Sequence, residues 1–275
     1  LVGQSVHADS LMELGADVWQ WRAVTQPATS DDIPRIVRPK GWVPDWSGDS
    51  VRARYKTLED FETRLESLKS VPVTATEKTD YQLIGSALSR VRWELDHVAA
   101  WKRQPHFYTG QALIPIFEVL LPPPPVETSR IMDVIRLVDN IPAVLSAGRQ
   151  NLSDRRGPFV KVALTQLQDV APSLKGMEQG LSAYMSPRDK KALSSAVTKA
   201  IDAFQKFESF LANNTEALNQ ETAVGRESYQ YFLSSVALYP YVPEELLLMG
   251  SGEWERTAAF EEIERNRNLA LKDLP

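Results

Sequence analysis

Wherever the chain gathers apolar residues it repeats them every three to four positions, and that period limits its fold more than any other feature. The clearest run is Val51, Tyr55, Leu58, Phe61, Leu65 and Leu68, a single stripe set against Arg, Glu and Lys. This is the pattern of a helix with one buried face. Ser47 or Asp49 is placed to cap its start, because a short side-chain oxygen there accepts an otherwise unpaired backbone N–H. The same period in Leu11, Leu14, Val18 and Trp21, with Asp9 or Ser10 as cap, predicts a helix over about 10–24. Tyr81, Ile84, Leu88, Val91, Leu95 and Val98 predict a long helix to about Trp101, opened by Thr74 or Thr76 with Glu77. No stretch alternates apolar and polar residues for the length of a strand. The expected fold is all-α, an irregular array of about nine to eleven helices on Pro-rich links without significant sheet.

Prolines set the breaks, since each lacks an N–H donor and turns the residue before it away from helix. Pro27, Pro34, Pro39 and Pro44 predict an extended arm over 26–47, pinned by Trp42 and Trp46. Pro105 and the run Pro122 to Pro125 bracket a short apolar helix, the tetraproline reading as a stiff polyproline II spacer. Between 127 and 152, Ile131, Val134, Ile135, Val138, Ile141, Val144 and Leu145 carry the helical period, and Pro142 predicts a kink or a fresh start. Helices follow from about Phe159 to Val170 and Ser173 to Tyr184. Ser186 and Pro187 cap a long one with Leu193, Val197, Ile201, Phe204, Phe207 and Leu211 inward, stopped by Asn213, Asn214 and Thr215. One helical domain over 1–275 is expected, with 122–126 as the place for any subdivision.

Composition removes several functions. A net charge of −5 leaves no excess of Lys and Arg to replace phosphate counterions, which argues against a general nucleic-acid binder. Without Cys there is no disulfide, thiolate ligand or Cys nucleophile. No apolar run approaches the roughly 20 residues that span a bilayer. The chain opens on Leu1 rather than Met, so removal of an upstream segment such as a signal peptide is expected. Such a signal would place the protein in the periplasm or outside the cell; without one it is cytoplasmic.

The histidines are His7, His97 and His106, and none belongs to a His-Glu-x-x-His pair that would hold zinc and activate its water. Glu94 and His97, three apart, match half of a di-iron ligand set and read more simply as an ordinary helix pair. No G-x-S-x-G, G-x-G-x-x-G or Walker loop occurs. His106, beside Phe107 and Tyr108, is the candidate base for a metal-independent hydrolase, against the plainer reading of a turn residue. Gly250-Ser251-Gly252 reads as a loop and cap for a last helix from Glu253 to about Leu269, more simply than as an anion site. That helix is laced by Glu261/Arg265 and Glu264/Arg267, with Trp254, Ala258, Phe260 and Ile263 expected toward protein. Just before it, Tyr229, Tyr231, Tyr239 and Tyr241 offer ring faces with polar tips, as a peptide-binding wall would, or as structural packing would.

Several motifs resemble one family in order and spacing. They are Trp42-Val43-Pro44-Asp45-Trp46-Ser47, Pro105-x-x-Tyr108, and Arg136-Leu137 to Ile141-Pro142 leading into Asn151-Leu152. Further on come Gly225-x-Glu227-x-Tyr229-x-x-Phe232-Leu233, Tyr241-x-Pro243-Glu244-Glu245-Leu246 and Gly250-x-x-Glu253-x-x-Arg256. The family is that of the bacterial proteins catalogued as domain of unknown function eight hundred and eighty-five, regarded as zinc metallopeptidases of a helical, gluzincin-like build. The resemblance covers the N-terminal half of a typical member, and implies that the metal motif, a His-Glu pair followed by Pro-Gly-His, lies beyond this chain. It therefore assigns no catalytic residue and no cofactor here, with zinc expected only in the C-terminal half. It implies a helical scaffold with one wall of a substrate cleft, Tyr229, Tyr239 and Tyr241, whose partners are a peptide substrate or the catalytic half. The alternative is a free-standing helical module that binds a peptide or protein without enzymatic activity.

Overall fold

The computed structural model describes residues 2–29, 36–213 and 218–271, with the side chains of the first helix from Ser10 onward. The side chains of His7 and Asp9, and the residues Pro34, Asn214 and Thr215, lie outside what is described. Helix α1 spans Val2–Thr25 and buries Leu11, Leu14 and Val18. It starts earlier than its apolar period, so Asp9 and Ser10 fall inside it rather than at its start. The arm that follows is pinned as its tryptophans suggested. Trp42 Nε1 donates to the Val24 carbonyl at 2.8 Å, and buried Trp46 donates to Gln111 Oε1 at 3.3 Å.

The Ser47 hydroxyl accepts the Ser50 N–H and opens α2 (Gly48–Ser67), which buries Val51, Leu58, Phe61 and Leu65. A capping box of Thr74 and Glu77 opens α3 (Ala75–Arg92), each side chain accepting the other's backbone N–H, at 3.2 and 2.8 Å. The unbroken helix to Trp101 is corrected. The winding widens into a π turn over Trp93–Val98 and ends at Ala99, whose φ of 45° is left-handed, before the short α4 (Ala100–Arg103). Pro105 begins α5 (Pro105–Leu120), and the prolines 122–125 lie in the non-helical link to α6 (Thr128–Asn151). No new helix starts at Pro142; α6 continues through it, the missing N–H being a local loss. Then come α7 (Gly157–Leu167), α8 (Val170–Leu181) and α9 (Pro187–Ala212), the last capped by Ser186 on the Asp189 N–H.

Two compact units divide the chain, 1–224 and 225–275. In the first, α6 lies against α5 and α9, α9 also carries α7 and α8, and α1, α2 and α3 pack on one another. One continuous apolar core runs through it, from Leu11 to Leu211. The motifs spread over 42–47, 105–108 and 136–152 meet at one junction. Asn140 Nδ2 donates to the Pro44 carbonyl at 2.9 Å, and Asn151 Nδ2 to the Trp46 carbonyl at 2.7 Å and to Tyr108 Oη at 3.1 Å. These bonds seat the donor-poor, proline-bearing arm on α5 and α6.

The second unit holds α10 (Arg226–Tyr231) and α11 (Pro243–Arg267). The last helix begins ten residues before Glu253, so Gly250-Ser251-Gly252 is neither a cap nor an anion site. Pro243 in its first turn and the Glu245 carboxylate, accepting the Val242 N–H at 3.0 Å, fix that earlier start. The fold is all-α, and no strand occurs among the described residues.

Candidate functional site

Local backbone geometry presents the tyrosines. Gly225, at φ 85°, caps α10, and Tyr229 stands one turn in with 45% of its surface exposed. The helix then widens into a π turn, Phe232–Val236, closed by the Ala237 N–H on the Phe232 carbonyl at 2.8 Å. Leu238 reverses the chain with a left-handed φ of 53°, and the Tyr239 N–H returns to the Leu233 carbonyl at 2.7 Å. A left-handed residue stopping a helix in this way is the usual αL closure, here wider than the α form. It sets Tyr239 against Tyr241 edge to face, with centroids 5.7 Å apart, the two rings 46% and 40% exposed. Tyr229 is not joined to that ring pair among the described contacts. Arg226 at the start of α10 pairs with Glu244 at the start of α11 and holds that carboxyl below its usual range.

Trp254, Phe260 and Ile263 are exposed rather than turned into protein, Trp254 by 74%. At 100° per residue the four expected inward positions do not share a face, Ile263 lying roughly opposite Trp254. Leu247, seven residues before Trp254, does share its side and is also exposed. The Glu261/Arg265 and Glu264/Arg267 pairs form as expected.

His97 and His106 stand on different elements, the π turn and α5. His97 stacks on Trp93 with centroids 5.6 Å apart, while Glu94 is bound by Arg22 and Arg90. His106 meets the Phe159 ring edge-on, bonds to the Phe159 backbone, and buries Nδ1 without a partner. Burial lowers its pKa, and neither nitrogen is oriented by a carboxylate as a triad base requires. Zinc needs three or four converging donors, and no three His, Asp or Glu side chains converge among the described residues. The described residues do not fit a zinc site.

A cavity of about 200 Å³ beside the π turn was not foreseen; Arg22, Arg54, Glu94, Trp46, Trp101 and Phe107 are on its wall. Arg22, 7% exposed, places Nη2 3.0 Å from both oxygens of Glu94. Arg54, 6% exposed, donates to Ser50 Oγ and the Asp45 carbonyl at 2.8 Å and to the Thr25 carbonyl at 3.4 Å, with its guanidinium 4.2 Å over Trp46. Burial pushes its pKa down to about 10, so it stays charged at neutral pH. The signal was in the period: Arg22 continues Leu14 and Val18 by four, and Arg54 falls between Val51 and Leu58 on the buried face.

A family model described as bacterial protein of unknown function (DUF885) matches residues 32–267. The chain belongs to the DUF885 family. A solved structure from Shewanella oneidensis, named as a lipoprotein of unknown function, matches 99% of the DUF885 chain and 49% of its own, with a TM-score of 0.67 at 18% identity. The DUF885 chain therefore spans about half the length of that structure, and at this identity the likeness shows the fold alone. No curated protein shows significant similarity to it. Among the described residues no helix is long and apolar enough to cross a membrane.

Proposed function

We propose that this DUF885 chain is the non-catalytic helical half of a zinc-dependent peptidase, supplying scaffold and one wall of the substrate cleft. The observation that carries the reading is the half-length correspondence: nearly the whole chain matches one half of a longer protein of the same fold. The peptidase chemistry rests on the family resemblance of its motifs. Tyr229, Tyr239 and Tyr241 suit a cleft wall, because exposed rings offer flat apolar faces to peptide side chains and hydroxyls to the peptide backbone. Leu247 and Trp254, exposed on one side of α11, suit a helix covered by the second half.

Given zinc and a peptide mixture, the 275-residue chain is expected neither to bind the metal stoichiometrically nor to hydrolyse. Supplying the second half of a longer family member is expected to produce chelator-sensitive hydrolysis. In that assembly Tyr239→Ala should lower kcat/KM about tenfold, a loss of roughly 1.4 kcal/mol. Zinc-dependent hydrolysis by the chain alone would overturn the reading, as would an unchanged kcat/KM in Tyr239→Ala. Peptide capture with no hydrolysis in either form would favour the free-standing binding module.

A further inference from the structure

The cavity between α1, α2 and the π turn lies in the first unit and is independent of the tyrosine wall. Among the described residues its charge is unbalanced. There Arg22, Arg54 and Arg90 line it with a single carboxylate, Glu94, whose oxygens are already shared by Arg22 at 3.0 Å and Arg90 at 3.4 Å. Arg54 is met by neutral acceptors and a ring face. Asp45, the carboxylate acting on it through space, is exposed and accepts the Ser47 N–H instead. A buried cation without a bonded carboxylate is costly unless something supplies the countercharge.

The rest of the wall is apolar. Trp46 is buried and packs edge-on to Phe107 at 4.6 Å, and Trp101 is oriented by its Nε1 bond to the Leu95 carbonyl at 3.0 Å. Cationic groups at one place and fixed aromatic faces around it are the makings of a site for a small organic anion. Size narrows the class. An engineered apolar cavity of about 150 Å³ takes up benzene, so about 200 Å³ leaves room for one ring and a carboxylate. The backbone adds a separate sign, since Val98 and Ala100, on either side of left-handed Ala99, both line the cavity at the end of the π turn. π turns and strained non-glycine residues gather at functional sites.

We infer that this cavity binds a small monocarboxylate with an aromatic or compact aliphatic body, the carboxylate held by Arg22 and Arg54 and the body by Trp46, Trp101 and Phe107. An arginine set that served only to anchor the arm would fix Thr25 and Asp45 as these bonds do and would not discriminate between anions and neutral molecules.

Calorimetric titration of the 275-residue chain with benzoate, and with benzamide as its neutral isostere, separates the two. Benzoate is expected to bind one to one with a Kd of roughly 1 mM or tighter, and benzamide about tenfold more weakly. Glu94→Gln removes the competing carboxylate and should tighten benzoate by about threefold or more. Arg90→Gln, at a mostly exposed position where misfolding is not at issue, should weaken it about twofold to fivefold. Absence of benzoate binding in the parent chain overturns the inference. Equal affinity for benzoate and benzamide, or binding that neither variant alters, does so as well.

Discussion

Replacing Gly148 by alanine sets two well-defined effects against each other. Gly148 lies in the last turns of α6, where alanine is the better helix former by about 1 kcal/mol. An added Cβ, however, would stand 2.8 Å from Cγ of Tyr108 and 3.1 Å from each Cδ, directly over the ring. Carbon atoms prefer roughly 3.5–4.0 Å, so the ring must retreat by somewhat under ~1 Å. Tyr108 has little freedom to do so. It is fully buried, its hydroxyl donates to the Trp101 carbonyl at 2.8 Å, and it accepts from Asn151 at 3.1 Å. Overpacking costs about 1–3 kcal/mol and a weakened hydrogen bond about 1 kcal/mol. Against the propensity gain, the net expectation is a loss of roughly 1–3 kcal/mol, or about 2–4 °C of Tm for each kcal/mol in a chain near this size. Gly176 in α8 is the control, because nothing lies within 4 Å of its added Cβ. Gly176→Ala should gain up to about 1 kcal/mol. Thermal and urea unfolding followed by circular dichroism should give the two variants opposite signs. A Gly148→Ala chain as stable as the parent, or a Gly176→Ala chain that loses as much, would refute the packing argument.

Asn151→Ala should cost about 1–3 kcal/mol in urea unfolding, since it leaves the Trp46 carbonyl and the Tyr108 hydroxyl each short of a donor. Ala99→Gly should stabilise by up to about 1 kcal/mol, the left-handed cost of about 1–2 kcal/mol being partly offset by the greater freedom of unfolded glycine. The His106 pKa is lowered, first of all by burial. Above pH 6.5, its ordinary value, folded and unfolded chains both carry it neutral; as pH falls through 6.5 the unfolded chain takes up the proton first and stability drops. His106→Gln should therefore lose less stability than the parent between about pH 7 and 5, measured by denaturant midpoints at each pH.

How much was legible follows from what each signal encodes. The stripe from Val51 to Leu65 gave α2 and its Ser47 cap, because apolar period and capping chemistry agree there. The Trp42 and Trp46 pins were legible too, since a proline-rich arm needs large side chains to seat it. The start of α11 was misplaced for the opposite reason. Two glycines and a serine look like a loop, and the capping Glu245 two residues after Pro243 was the stronger local signal. The inward residues of that helix were misjudged because Trp254 and Ile263 are not one helical face apart. The tyrosines were visible as a cluster of residue types. That Tyr239 meets Tyr241 depends on the turn between Leu233 and Tyr239, which composition does not encode.

The proposed cavity and the tyrosine turn are built by one device. At 93–98 and again at 232–236 a helix widens into a π turn, and a left-handed non-glycine residue follows, Ala99 in the first case and Leu238 in the second. A π turn adds about one residue to a helical turn, so side chains after it rotate by roughly 100° relative to the preceding stripe. In the first unit Glu94 lies in the π turn and accepts from Arg22, and Trp101, just beyond the left-handed Ala99, lines the cavity. In the second the π turn lifts Tyr239 and Tyr241 off the line of α10 and leaves them exposed. A purely periodic reading cannot see either event, because one inserted residue leaves a plausible period on each side. The strain of the left-handed residue, about 1–3 kcal/mol at each site, persists only where surrounding bonds hold it. The Tyr239 N–H on Leu233 and the Lys102 and Arg103 N–H groups on the Ala99 carbonyl at 2.9 and 3.0 Å are the bonds that do so.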